Sequence, residues 1–340
     1  MPKVRRDEPR VKVIIPLAGK GTRLRPQTHT TPKPLLRVGG RPVMSYIMDD
    51  LRELGVTEAI FITGHLKDRI ESYVRTEYPQ FTSHFIEQPV QDGTAGAVAL
   101  ARPHVDSDVL IIFVDTLFDA DLSLVKRLPQ DEAGVIWAKE VEDYQRFGVI
   151  VTDAQGHMKR IVEKPTDPIS KLANIGLYYI RDWQLLYRGI DNTMRGPTGR
   201  SGEYYLTDAF QYMIDHGAKI RVEAVAGWYD CGQVDTLLDT NRHLLEHGRA
   251  RRPDGGRGVR VHDPVRIAEG VTLENCELGP NLTVETGCVI RNSRLQDSIV
   301  GSNTTILGIA LSGSLIGDDV RVTNSRGTLN VGDQASVELE

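Results

Sequence analysis

Apolar positions in the first part of the chain fall into short runs, separated by stretches where they recur every three or four residues. Residues 11–17 (VKVIIPL) form a β-rich apolar run, the pattern of a strand covered on both faces. Residues 42–54 put Val43, Ile47 and Leu51 on one helical face, with Gly55 as the stop. A short apolar strand is predicted over 59–63, a helix over 67–74, a weaker strand over 81–86, a small-residue helix over 93–100 and an apolar strand over 109–114. Strands alternating with helices predict βαβ units and a mainly parallel sheet, with ligands at the carboxyl ends of its strands. From residue 133 the pattern becomes more strand-like, with short runs at 133–138, 147–151, 157–162 and 174–180. These read as an antiparallel insertion covering one side of a pocket. Helices are predicted over 183–190 and 206–214, the latter with Thr207 and Asp208 as cap candidates and Gly217 near its end. A strand at 222–225 and a helix at 234–245 follow.

The period then changes. A basic, glycine-rich connector, RARRPDGGRG at 249–258, marks a domain boundary. Beyond it, branched or apolar residues recur every five or six positions from Val261 through Ile267, Leu273 and Leu278 to Ile316 and Val322. Three such steps make a turn of roughly 17 residues with an apolar residue at each inward position. Asn275, Asn281, Asn292 and Asn303 fall near the turns. The sustained spacing predicts a left-handed parallel β-helix whose coils stack on one another. A two-sheet sandwich would instead show alternation within longer strands. The expected domains are 10–248, a linker at 249–258, and the repeat at 259–340.

Between the first strand and the first helix lies the stretch AGKGTRLRPQTHTTPKPLL. Gly19 and Gly21 let the backbone turn tightly and approach a ligand. Backbone N–H groups there, with Arg23, Arg25 and Lys33, form a cradle for phosphate oxygens. A net charge of -5 gives no support to nucleic-acid binding but leaves room for a local basic site. Three cysteines without a CxxC pair make a poor disulfide framework and suggest a reducing, cytoplasmic setting. The opening residues lack the apolar run of a signal peptide, and no stretch reaches the length of a membrane span. The nine histidines form no zinc motif.

The ordered set Pro16-Leu17-Ala18-Gly19-Lys20-Gly21-Thr22-Arg23-Leu24-Arg25-Pro26 and Pro32-Lys33-Pro34-Leu35 resembles the signature of sugar-1-phosphate nucleotidyltransferases. Further matches are Gln88, Asp92-Gly93-Thr94-Ala95, Phe147-Gly148-Val149, Glu163-Lys164-Pro165, Gly176-Leu177-Tyr178, Leu206-Thr207-Asp208 and Trp228-Tyr229-Asp230-Cys231-Gly232. The resemblance implies a Rossmann-like catalytic domain and is greatest to the long thymidylyltransferase form that carries a β-helix. It implies a reaction of dTTP with glucose 1-phosphate to give dTDP-glucose and pyrophosphate. A UTP-dependent enzyme making a UDP-sugar, or a non-catalytic regulatory homologue that binds sugar nucleotides, are the alternatives. On this resemblance Arg23 and Lys33 hold the triphosphate, and Leu17, Ala18, Gly19, Gly21, Thr22, Gln88, Gly93, Thr94 and Asp115 line the nucleotide. Gly148, Glu163, Lys164, Asn174 and Gly176 receive the sugar phosphate, and Asp115 and Asp230 bind magnesium. The implied partners are a nucleoside triphosphate, a sugar 1-phosphate and further copies of the chain, with no nucleic acid and no membrane.

The chemistry is consistent with that set. A phosphate oxygen attacks the α-phosphorus and pyrophosphate leaves, so cations must offset repulsion between two anions. The nucleophile is already ionised, and alignment matters more than a general base. One departure stands out. Relatives commonly carry Gly-Asp where this chain has Val114-Asp115. His262 is the sole histidine of the repeat, which argues against an acyltransferase role there.

Overall fold

In the computed structural model, residues 10–199, 202–324 and 326–338 are described. Two compact units emerge, each drawing on separate parts of the chain. The first takes the described residues up to Gly19 together with Ile47–Trp228; the second takes Lys20–Tyr46 and the residues from Tyr229 on.

The first unit is built on a nine-stranded mixed sheet. At its centre Val11–Pro16 pairs in parallel with Glu58–Thr63 and with Asp108–Ile112, and Glu58–Thr63 pairs in parallel with Thr82–Glu87. Val13, Ile14 and Ile15 are fully buried, as the unbroken apolar run requires. Leu172–Ile180 joins antiparallel beside Asp108–Ile112 and continues the sheet into Gly134–Glu140, Gly148–Thr152 and Met158–Glu163. The predicted parallel half and antiparallel insertion are therefore one continuous sheet. The helices Thr94–Leu100, Trp183–Arg195 and Leu206–Asp215 pack with it through Val98, Leu186, Ile190, Phe210 and Met213.

One local expectation is corrected. Thr207 and Asp208 do not cap the helix Leu206–Asp215; its N-cap is Tyr205, and both residues sit in the first turn. The cause is tertiary. The Leu206 N–H, one of the first-turn donors with no partner inside the helix, donates to the Thr94 hydroxyl at 2.8 Å, so a distant side chain secures this helix start.

In the second unit, three five-stranded parallel sheets form the faces of a β-helix. Leu273, Ile290, Ile306, Val322 and Val337 stack in register, so successive coils are 17, 16, 16 and 15 residues apart. The core is a column of Val265, Leu278, Leu282, Ile290, Leu295, Ile306 and Val322. Asn275, Asn281, Asn292 and Asn303 all take the left-handed conformation that the corners demand. Their side chains also link coils: Asn275 donates to Asn292 at 3.2 Å and Asn281 to Asp297 at 2.7 Å. Cys231, Cys276 and Cys288 are buried free thiols. No helix among the described residues is long and apolar enough to cross a membrane.

Candidate functional site

In the first unit, the sheet delivers its chain ends to the predicted residues. Beyond Val11–Pro16, Leu17 extends the ladder by donating to the Ile62 carbonyl at 2.7 Å. The Ala18 carbonyl accepts from the Gln91 amide at 2.7 Å, and a side chain at Gly64 would sit 2.8 Å from that carbonyl. Gly19 is exposed, with open space where a Cβ would be.

Gln88, only 8% exposed, donates through its amide nitrogen to Asp92 Oδ1 at 2.9 Å and to the Gly93 carbonyl at 3.3 Å. Both donors of the amide serve the loop, so its oxygen is the part suited to a ligand. Gly93 has φ 114°, and a Cβ there would lie 2.4 Å from the Tyr204 carbonyl. Glycine is required on both counts. Thr94 opens the next helix, and its hydroxyl oxygen accepts from the Leu206 N–H at 2.8 Å, which leaves its O–H as a donor.

A second group lies on the antiparallel half. Asn174 donates to the Gly148 carbonyl at 3.0 Å, and its oxygen accepts from the Gly176 N–H at 3.3 Å and from the Tyr178 hydroxyl. Glu163 accepts from Thr207 at 3.3 Å. Burial pushes its carboxyl above the ordinary range, against the pull of the neighbouring Lys164 ammonium. Tyr178 is held protonated, first by burial and then by the negative charges of Glu163 and Asp115. The unit thus places those two carboxylates in one electrostatic neighbourhood. Lys164 is exposed, with its ammonium 5.6 Å from the centre of the Tyr205 ring and its backbone at φ 44°. A lysine held left-handed is strained, a feature that gathers at functional sites. Asp115 lies just past Asp108–Ile112, half-buried, and Val114 before it is buried.

The second unit holds the remaining predicted residues. Gly21, at φ 60°, starts the short turn Thr22–Leu24, which buries Leu24 and leaves Thr22 and Arg23 exposed. A Cβ on Gly21 would stand 3.0 Å from the Thr28 methyl and 3.2 Å from Lys33 Cβ. Asp230 Oδ1 accepts from the Gly232 N–H at 2.7 Å. A Cβ on Gly232 would be 2.8 Å from that oxygen and 3.5 Å from Lys33 Nζ. Lys33 and Asp230 therefore flank the same glycine.

Residue-type reasoning passed over Gln91, Tyr204 and Tyr205, which support the loop, shape the Gly93 turn and face Lys164. No local spacing marks them, because each acts through contacts distant in sequence. Among the described residues no group of three or more His, Cys, Asp or Glu is placed to hold a metal. A magnesium ion needs only one or two carboxylates when substrate phosphates complete its shell. The oxygen donors Asp115 and Asp230 fit that requirement in kind.

Known proteins match both the sequence and the fold. The model of a family described as nucleotidyl transferase matches residues 12–247. A glucose-1-phosphate thymidylyltransferase of Streptomyces antibioticus is 30% identical, over 97% of this chain and 100% of its own length. A UTP–glucose-1-phosphate uridylyltransferase, AglF, of Haloferax volcanii is 31% identical, over 69% of this chain and 97% of its own. A crystal structure of a UDP-glucose pyrophosphorylase complexed with UDP-glucose superposes with a TM-score of 0.62, covering 69% of this chain and 98% of that one. At 23% identity, that likeness speaks to fold alone.

Proposed function

This chain belongs to the nucleotidyl transferase family and joins a nucleoside triphosphate to a sugar 1-phosphate; within that activity we propose that the base is a pyrimidine with an imide edge, UTP in the first place, and that the sugar is glucose. The observation that carries the base class is Gln88. With both amide donors held by Asp92 and Gly93, its oxygen accepts from the imide N–H that uracil and thymine share. The uridine reading is supported by AglF, a uridylyltransferase matched over nearly its whole length. The dTTP reading is favoured by the thymidylyltransferase matched along its full length, β-helix region included.

Roles follow from charge and position. Arg23 and Lys33 neutralise the triphosphate and the leaving pyrophosphate. Lys164 holds the sugar phosphate, while Glu163, Asn174 and the bare Gly148 backbone receive sugar hydroxyls. A raised Glu163 carboxyl is not needed as a base, because the attacking phosphate is already an anion. Asp115 and Asp230 would hold a divalent cation such as magnesium, which supplies charge neutralisation across the triphosphate oxygens when bound.

The test is a matrix of UTP, dTTP, ATP and GTP against glucose, N-acetylglucosamine, galactose and mannose 1-phosphates, read by pyrophosphate release with and without chelator. UTP or dTTP turning over with glucose 1-phosphate is expected. Preference for a purine triphosphate would remove the Gln88 assignment. Asp115→Asn is expected to lower turnover by about two orders of magnitude or more while preserving the folded state. Near-normal kinetics in that variant would reject a metal role.

A further inference from the structure

The loop carrying Arg23 and Lys33 is tied to the β-helix rather than left to hold its own shape. Gln27, 3% exposed, donates through its amide nitrogen to two carbonyls, Leu315 at 3.1 Å and Val331 at 3.1 Å. These belong to strands paired on the same face of successive coils, Leu315–Ile316 and Asn330–Val331. Thr30 donates to Asp333 Oδ2 at 2.5 Å, and the other Asp333 oxygen accepts from the Asp318 N–H at 2.9 Å. Asn330 donates to the Arg25 carbonyl at 3.2 Å. A Cβ on Gly332 would sit 3.1 Å from Pro26 Cβ, so the coil backbone lies close against the loop.

The connection continues inward. Thr28, next to Gln27, donates to the Gly21 carbonyl at 2.9 Å, and Gly21 lies against Thr28 and Lys33 Cβ. A shift at Gln27 is therefore passed to Gly21 and Lys33 within a few bonds.

We propose that the last coils of the β-helix are the positioning platform for triphosphate use, with Gln27 and Asp333 as positioning residues that fix Arg23 and Lys33. This rests on the reading that Arg23 and Lys33 bind triphosphate. The physical case is the length of the unsupported alternative. The loop has three short 3₁₀ turns, Thr22–Leu24, Gln27–His29 and Lys33–Leu35, and no longer helix or extended strand before Arg37–Val38. Turns of that kind have little stability of their own. Catalysis by alignment is sensitive to displacements of about 1 Å. The rigid coils supply the missing order.

The experiment compares Gln27→Met, Asp333→Ala, Asp333→Asn, Thr328→Ala and Lys33→Ala in the full chain, with folding checked by circular dichroism. Separate KM values are measured for the nucleoside triphosphate and for the sugar phosphate. Thr328 donates to the Ser312 carbonyl, a bond between successive coils that involves no residue of the loop, and serves as the control for general loosening. Gln27→Met and Asp333→Ala are expected to cut kcat/KM for the triphosphate about 10- to 100-fold while the sugar-phosphate KM stays within twofold. Asp333→Asn should recover part of the loss, because the Thr30 hydroxyl can accept from the new amide. Unchanged triphosphate kinetics in folded Gln27→Met and Asp333→Ala overturn the proposal. So does an equal loss in Thr328→Ala, which reports softening of the coils. Lys33→Ala separates the two readings: if it leaves triphosphate use intact, the function assigned to the loop fails, whatever the other variants do.

Discussion

A methyl group added at Gly148 would lie 2.3 Å from Asn174 Nδ2 and 2.8 Å from Glu163 Oε2. Neither neighbour can retreat freely, since Asn174 is held to Gly148, Gly176 and Tyr178, and Glu163 to Thr207. Gly148→Ala is expected to cost about 1–3 kcal/mol by overpacking and to raise the KM for sugar phosphate selectively. Urea denaturation with steady-state kinetics checks both; an unaltered sugar-phosphate KM would detach Gly148 from the sugar. Lys164 permits a cleaner separation of stability from chemistry. Its left-handed backbone costs any residue with a Cβ about 1 kcal/mol that glycine avoids. Lys164→Gly should therefore be more stable than Lys164→Ala, while both lose sugar-phosphate use alike. If Lys164→Gly kept normal use of sugar phosphate, the ammonium would have no role there. The Glu163-Lys164-Pro165 motif was visible in the sequence, but the strained φ was not, because nothing about a lysine announces it. Gly93 was visible as a motif residue as well; that it faces Tyr204, more than a hundred positions away, was not.

At the scale of elements, the β-helix was legible because its inward residues obey a fixed spacing and its corners favour asparagine. The central strand was legible because burial on both faces leaves an apolar run. The contacts of the Lys20–Tyr46 segment were illegible for the opposite reason. Gln27 and Leu315 are single polar and apolar residues about three hundred positions apart, and one hydrogen bond leaves no period. Arg37 shows the same kind of contact from the other side. It donates to Glu285 at 3.0 Å and to Ser302 at 3.3 Å, and the Glu285 side chain is 8% exposed. Glu285 Oε1 has no hydrogen-bond partner among the described residues. Burial raises the Glu285 carboxyl above its ordinary value, while Arg37 lowers it. A raised carboxyl favours folding most when protonated, below about 4.5 in the unfolded chain, and that contribution is lost as pH rises through the folded value. Without Arg37 the folded value rises further. Arg37→Met should then cost about 1–2 kcal/mol at pH 7.5, discounted because Arg37 is itself partly exposed. The deficit should be smaller at pH 5, because a larger share of the carboxyl is protonated there and the protonated form needs no cation. Chemical denaturation at both pH values measures it, and a deficit independent of pH would mean that the pair contributes through packing alone.

For the whole molecule, the decisive fact is that compact units and sequence order do not coincide. The chain leaves the first unit after Gly19, spends Lys20–Tyr46 in the second, and returns at Ile47. A cut at the basic, glycine-rich connector looks natural in the sequence, yet it would take away the coils while leaving the segment that depends on them. In a fragment of residues 1–248, Gln27 would lose both carbonyl acceptors, Thr30 its carboxylate and Arg37 both Glu285 and Ser302. The isolated turns of that segment cannot replace these bonds, since short 3₁₀ pieces are marginal without tertiary support. Limited trypsin digestion should therefore cleave the fragment at Arg23 or Arg37 at least about tenfold faster than the intact chain, because local opening controls such cleavage. The sheet of the first unit should remain protected on the same timescale, since its central strands keep their ladders. Equal protection of residues 20–46 in fragment and full chain would show that the segment is ordered without the coils, and the dependence argued from Gln27 and Asp333 would then be absent.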